Sequence, residues 1–239
     1  MPTAIVFSAG GMFGAWEVGV WRVLCERVRP DIVVGASAGS LNGWLVAGGA
    51  TLEDMVRQWM DPVTGRIMRL GLHWTGFIRP DTLYQTARDL FARYRPRVAF
   101  GLTVVEVPRM RVRLVRDREV TWQYLAASCS IPAAFPPVLI DGKRYVDGGL
   151  LGALPVWAAE EMGATRAIAV NCLTSWPFRM SRAVIRPREA TSKLDVTLIE
   201  PPEPLGSLRD AIVWKPANIK RWIEQGARDA NRVLSSGRM

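Results

Sequence analysis

Histidine is nearly absent from this chain: His73 is the only one in 239 residues. A single imidazole excludes histidine-rich metal sites and narrows the ways in which a nucleophile can be activated. Cysteine is scarce as well. Cys25, Cys129 and Cys172 are odd in number and far apart, a pattern of buried thiols in a reducing compartment rather than a disulfide framework or zinc site. No run of about 18 uncharged apolar residues occurs, so no transmembrane helix is predicted. Residues 1–7 lack the basic start and long apolar stretch of a signal peptide, and a cytoplasmic protein is the expectation. Acidic residues are outnumbered, 22 against 31 basic ones, for a formal net charge of +9. That balance favours anionic partners, and peripheral contact with an anionic membrane is the expected form. Nucleic acid is not expected, because zinc-finger spacing, aromatic RNA-binding segments and heptads after a basic region are all missing.

What is present is a core. Hydrophobic residues make up 49% and charged residues 22%, the balance of a globular protein rather than a disordered one. Residues 4–7 form a short apolar run ending in Ser8-Ala9-Gly10-Gly11, which reads as a buried strand and a tight turn. Ala15, Val18, Val20, Trp21, Leu24 and Val28 then recur at helical spacing over residues 14–28, before Pro30. A second buried strand, residues 31–34, leads directly into Gly35-Ala36-Ser37-Ala38-Gly39, with a helix over residues 41–47. Strand, helix, strand and helix at such short separations predict a parallel α/β core.

Further along, residues 52–60 and 82–94 read as helices, the second with Asp81 as N-cap. Between them, residues 62–80 fit no period. Residues 98–107 and 110–115 read as strands about Pro108, with Arg109, Arg111, Arg113, Arg116 and Arg118 on a solvated hairpin edge. Asp141-Gly142 is a hairpin turn signal between residues 138–140 and 144–146. Helices are predicted over residues 122–127 and 156–162, buried strands over 167–170 and 194–199, and a basic loop over 174–192. On the final helix Ile219, Trp222, Ile223, Gly226, Ala227 and Ala230 share one face, which predicts docking onto the domain. No repeat or linker divides the chain, so one domain over residues 1–239 is expected.

Gly35-Ala36-Ser37-Ala38-Gly39 matches G-x-S-x-G. A nucleophile on a sharp strand-to-helix turn stands clear of the backbone where the residues two away lack a Cβ. The motif sits between an apolar strand and a helix, as that chemistry requires. Its activation is unusual. No histidine lies beyond position 73 or before Ser37, so the three familiar orders of a Ser, His and acid triad all fail. Ser37 works without histidine or does not work. A carboxylate is the remaining kind of base, and Asp147-Gly148-Gly149 at a strand end offers one; the same tripeptide also has good turn chemistry with no further duty.

Taken together, four blocks resemble the patatin-like phospholipases, whose serine and aspartate dyads dispense with histidine. These are Gly10-Gly11-Met12-Phe13-Gly14, the elbow at Ser37, Ala127-Ser128-Cys129-Ser130-Ile131-Pro132-Ala133-Ala134-Phe135-Pro136-Pro137, and Asp147-Gly148-Gly149, within a motif-bearing core of about residues 4–171. The resemblance implies a three-layer α/β/α fold with a mainly parallel central sheet, which residues 172–239 complete. It implies Ser37 as nucleophile, Asp147 as general base and backbone amides of Gly10, Gly11 and Met12 as an oxyanion hole. Gly35, Gly39, Gly148 and Gly149 would support the two turns. The implied substrate is a lipid acyl ester, phospholipid or lysophospholipid, and no metal or organic cofactor is implied. Three positions depart from the family's pattern: Ala9 for a glycine, Phe13 for a basic residue and Ala153 for an asparagine. Phe13 and Ala153 favour the rival reading, a catalytically weak or inactive lipid- or partner-binding protein of this fold.

Overall fold

A computed structural model describes residues 1–68, 70–73, 76–174 and 194–235, with backbone alone for residues 70–73 and 76. The apolar runs form the centre of an eight-stranded sheet. β1 (Thr3–Phe7) lies between β2 (Ile32–Ala36) and β9 (Arg166–Val170), all parallel, and β10 (Asp195–Ile199) extends the parallel run beyond β9. β5 (Ala99–Val107) pairs parallel with β2. Antiparallel strands finish that side: β6 (Arg111–Arg116) on one edge of β5, and the hairpin of β7 (Val138–Ile140) and β8 (Lys143–Asp147) reached through β8. At the hairpin tip Asp141 and Gly142 both have positive φ, 48° and 74°, as a two-residue turn with a right-handed twist requires.

Helices flank the sheet on both faces. α1 (Gly14–Leu24), α2 (Ala38–Ala47), α3 (Leu52–Met60), α5 (Asp81–Arg93), α6 (Trp122–Ser128) and α9 (Pro216–Ser235) cover the face of Ile5, Phe7, Val33, Phe100 and Ile168. The opposite face, with Ala4, Val6, Ile32, Val34 and Ala167, packs on α7 (Val156–Glu161) through Ala158 and Ala159. This layering follows from strands apolar on both sides, which must be covered twice.

The last helix docks as its apolar face predicts. Ile219 and Trp222 are fully buried. A Cβ on Gly19 of α1 would stand 2.0 Å from the Ile223 carbonyl oxygen, and one on Gly226 of α9 would stand 2.0 Å from that of Trp16. The two helices approach backbone to backbone because each offers a glycine to the other. Trp16 Nε1 donates to Asp229 Oδ2 across the seam at 2.9 Å.

Several local expectations shift. α1 stops at Leu24, short of Val28. Pro80, not Asp81, caps α5, and Asp81 stands in its first turn, where a carboxylate suits the positive helix end. The aperiodic stretch contains α4 (Pro62–Arg66), with Asp61 accepting from the Val63 amide, and a small hairpin of β3 (Leu70–His73) and β4 (Gly76–Ile78). His73, within the stretch that fits no period, ends β3. A further short helix, α8 (Leu208–Ile212), is capped reciprocally by Ser207 and Asp210. Arg113 is not on a solvated edge: Nη1 donates to the hydroxyls of Tyr124 and Tyr145, and Nη2 to Glu119. The basic loop read over residues 174–192, with Arg179, Arg182, Arg186 and Arg188, lies, but for Thr174, outside the described residues. No helix among the described residues is long and apolar enough to cross a membrane.

Candidate active site

Strand register brings the motifs together. Phe7 of β1 lies level with Gly35 of β2 and Val170 of β9. The Gly-rich loop, the elbow and residues 171–173 therefore all leave the sheet at one edge, the carboxyl end of parallel strands where open α/β sheets place ligands. β5 sets the remaining distance. Its Thr103 pairs with Ala36 and its next residue, Val104, pairs with Asp147. The ends of β2 and β8 thus meet on one edge of β5, and Ser37 meets Asp147 although 110 positions separate them.

The elbow is tight. Ser37 has φ 52° and ψ −128°, a conformation that costs a non-glycine residue about 1–3 kcal/mol. Its neighbours hold it there. A Cβ on Gly35 would lie 2.2 Å from the Gly39 carbonyl oxygen, and one on Gly39 would lie 2.4 Å from that of Ser8. The Ser37 amide donates to Ser128 Oγ at 3.0 Å, and that hydroxyl donates to the Thr103 carbonyl at 2.9 Å. Ser40 Oγ donates to the Ser37 carbonyl at 2.6 Å.

Ser37 Oγ donates to Asp147 Oδ2 at 2.6 Å, and the Gly149 amide donates to Oδ1 at 2.7 Å. The Asp147 amide is held by the Ser130 carbonyl at 2.9 Å. Both residues are 5% exposed. Burial pushes the Asp147 carboxyl up from the usual carboxylate range to about 7, while the bonds from Ser37 and Gly149 oppose that rise. The two glycines after Asp147 are required by contact: a Cβ on Gly148 would meet the Thr103 carbonyl at 2.1 Å, and one on Gly149 would meet the Ala9 Cβ at 2.5 Å.

The Gly-rich loop makes one turn of 3-10 helix over Gly11–Phe13 before α1 begins. The leading amides of such a turn have no carbonyl behind them within it. Gly10 and Gly11 line the same cleft as Ser37 and Asp147, whereas Met12 lines a second cavity that also reaches Ser37. Phe13 points away from both. It is 2% exposed and meets Trp222 of α9 edge-on at 5.0 Å between ring centroids, so the position that is basic in the family's pattern belongs here to the core. Ala153 lines the cleft, and its carbonyl accepts from the Ala9 amide at 2.7 Å.

Behind the loop lies a polar group that motif reading misses. Glu17 is fully buried on α1. Ser8 Oγ donates to Glu17 Oε1 at 3.1 Å and Asn42 Nδ2 to Oε2 at 2.9 Å. Asn42 also donates to the Gly14 carbonyl at 2.9 Å and accepts from Trp59 Nε1 at 2.9 Å. The Cys172 amide donates to Ser8 Oγ at 3.0 Å. The network ties both ends of the Gly-rich loop, Ser8 and Gly14, to α2 and to the end of β9. Burial without a cationic partner pushes the Glu17 carboxyl up to about 8, so it is neutral near pH 7. One sequence signal was available: Glu17 is the sole acidic residue of a helix that is apolar almost all round.

Comparison with known proteins identifies the family and the fold. A family model described as patatin-like phospholipase matches residues 5–160. Lysophospholipase NTE1 of Mycosarcoma maydis is 29% identical over 182 residues, which is 72% of this chain and 10% of that protein. Patatin-like phospholipase domain-containing protein 6 of Homo sapiens is 27% identical over 181 residues, 70% of this chain and 13% of that one. This chain therefore spans about a tenth of the length of these curated relatives. Among solved structures, VipD from Legionella pneumophila superimposes with a TM-score of 0.53 over 98% of this chain and 67% of its own, at 11% identity. That likeness is one of fold.

Proposed function

This chain belongs to the patatin-like phospholipase family, and on that premise we propose that it hydrolyses lipid acyl esters with Ser37 as nucleophile and Asp147 as general base. The observation that carries the reading is the 2.6 Å hydrogen bond from a serine on a strained elbow to a buried carboxylate whose pKa lies near 7. A base titrating near the working pH combines a useful ionised fraction with a useful proton affinity.

The steps follow from the geometry. Asp147 accepts the Ser37 hydroxyl proton as Oγ forms a bond to the ester carbonyl carbon. The carbonyl π electrons move onto oxygen, and amides of the Gly-rich loop receive the resulting charge; one such donor is worth about 2.7–4 kcal/mol of transition-state stabilisation. When the tetrahedral intermediate collapses, the bond to the leaving oxygen breaks and Asp147 returns the proton to that oxygen. The alcohol departs and Ser37 carries the acyl group. Water then repeats the sequence, giving up a proton to Asp147 as it attacks, and the Ser37 oxygen recovers that proton as the fatty acid leaves. No organic or metal cofactor enters.

The test is release of free fatty acid from a phospholipid and its lysophospholipid by the purified protein. Wild-type protein releases fatty acid and Ser37→Ala does not. Equal release by the two proteins contradicts the proposal.

A further inference from the structure

Two cavities reach Ser37, and they share only Gly11, Ser37 and Ile131. The inner one runs among α2, α3, α4 and α5, between Leu41, Leu45, Trp59, Ile67, Leu83 and Phe135. The outer one is bounded by Leu150, Leu173 and α8, whose Leu208, Ala211 and Ile212 form one wall. Their volumes differ: about 70 Å³ for the inner cavity and about 350 Å³ for the outer. Asp147 lines the outer cavity and not the inner one.

That last asymmetry assigns the two halves of the substrate. The group that accepts the Ser37 proton must hand it to the leaving oxygen, so the leaving alcohol lies on the Asp147 side. The acyl chain is left the inner cavity, a narrow apolar slot suited to one unbranched chain. The outer cavity, which must hold the alcohol, is apolar too. Leu208 and Ile212, one helical turn apart on α8, remain 55% and 46% exposed at its rim. An alcohol that is all polar head group leaves those side chains in water, whereas a chain laid along α8 covers them.

We propose that the inner cavity binds the acyl chain being cleaved and the outer cleft binds a second apolar chain carried by the alcohol, making two-chain lipids the favoured substrates. This division rests on the hydrolase reading of Ser37 and Asp147. Ile67 then limits acyl length, and Leu208 with Ile212 selects for the second chain.

The experiment measures fatty-acid release from a diacyl phosphatidylglycerol and from the matching monoacyl lipid in mixed micelles, with the whole chain. The wild-type protein favours the diacyl lipid by about tenfold or more in kcat/KM, and Leu208→Asp with Ile212→Asp lowers that ratio by about tenfold. Leu208→Ser alone, a milder change at an exposed site, lowers the ratio in the same direction if the double variant fails to fold. Ile67→Trp shifts the optimum among p-nitrophenyl esters toward shorter acyl chains. Equal or better turnover of the monoacyl lipid, or a ratio indifferent to the α8 variants, overturns the division. Those outcomes leave the hydrolase reading standing. Turnover of neither lipid, with no covalent labelling of Ser37 by a fluorophosphonate, overturns both.

Discussion

Ser37 Oγ and Asp147 Oδ2 stand 2.6 Å apart in the wall of the outer cavity, each residue only 5% exposed. The closeness is set by β5, which pairs with the strand before each residue at consecutive positions. The same burial that raises the carboxyl's proton affinity also costs stability. Its removal should therefore separate folding from activity.

Asp147→Asn is expected to melt at a higher temperature than the wild type while losing turnover by about a thousandfold or more. The sign follows from linkage. A carboxyl raised from 3.8 to about 7 in the folded state keeps a proton that the unfolded chain releases, so its contribution to stability falls as pH rises from about 4 to 7. The melting gap should be largest at pH 8 and close toward pH 4. Thermal melts across that range, beside p-nitrophenyl ester kinetics, check both halves. Activity of the wild type should rise through about pH 7 as Asp147 ionises.

Glu17 gives a second pH signature. Its carboxyl, raised from 4.5 to about 8, contributes stability that declines as pH climbs between those values. Glu17→Gln retains the length of the side chain and an acceptor for Asn42 while removing the buried charge. It should be more stable than the wild type at pH 8 and should sustain activity to higher pH. Glu17→Leu, which leaves Asn42 and Ser8 without that partner, should lose activity at every pH. An unchanged alkaline limb in the glutamine variant contradicts the role given to this residue.

Gly19→Ala and Gly226→Ala should each destabilise the protein by about 1–3 kcal/mol or more through backbone collision between α1 and α9. Each added Cβ would lie 2.0 Å from a carbonyl oxygen. Denaturant melts measure the loss. His73→Ala serves as the control and should leave ester turnover within about twofold, since the mechanism gives histidine no role.

The net charge of +9 predicts attachment to anionic vesicles that weakens with salt, because screening shortens from about 30 Å at 0.01 M to about 8 Å at 0.15 M. Co-sedimentation with neutral and anionic vesicles at low and high salt is the measurement. Equal binding to both lipids, or none at low salt, contradicts the expectation.

The parts of this site that were legible in the sequence are those fixed by steric exclusion. Gly35, Gly39, Gly148 and Gly149 are each forced by a backbone or side-chain atom within 2.5 Å of the missing Cβ, and such glycines announce themselves beside a serine or aspartate. The central strands β1, β2 and β9 were legible because they are buried on both faces. Ser128 and Asn42 were not, since a hydrogen bond to the Ser37 amide or the Gly14 carbonyl leaves no periodic trace. α4 and α8, five residues each, are too short to show a helical period. Both border the cavities that reach Ser37, so part of the cavity walls was not readable in the sequence.

The account stands on one pairing, Ser37 activated by Asp147. The most direct measurement is reaction with a fluorophosphonate at pH 8, followed by peptide mapping of the adduct in wild type, Ser37→Ala and Asp147→Asn. The account predicts a single adduct on Ser37, none in Ser37→Ala, and labelling slowed by about a hundredfold or more in Asp147→Asn. An adduct on another residue, or labelling of Ser37 at the wild-type rate without Asp147, would contradict it.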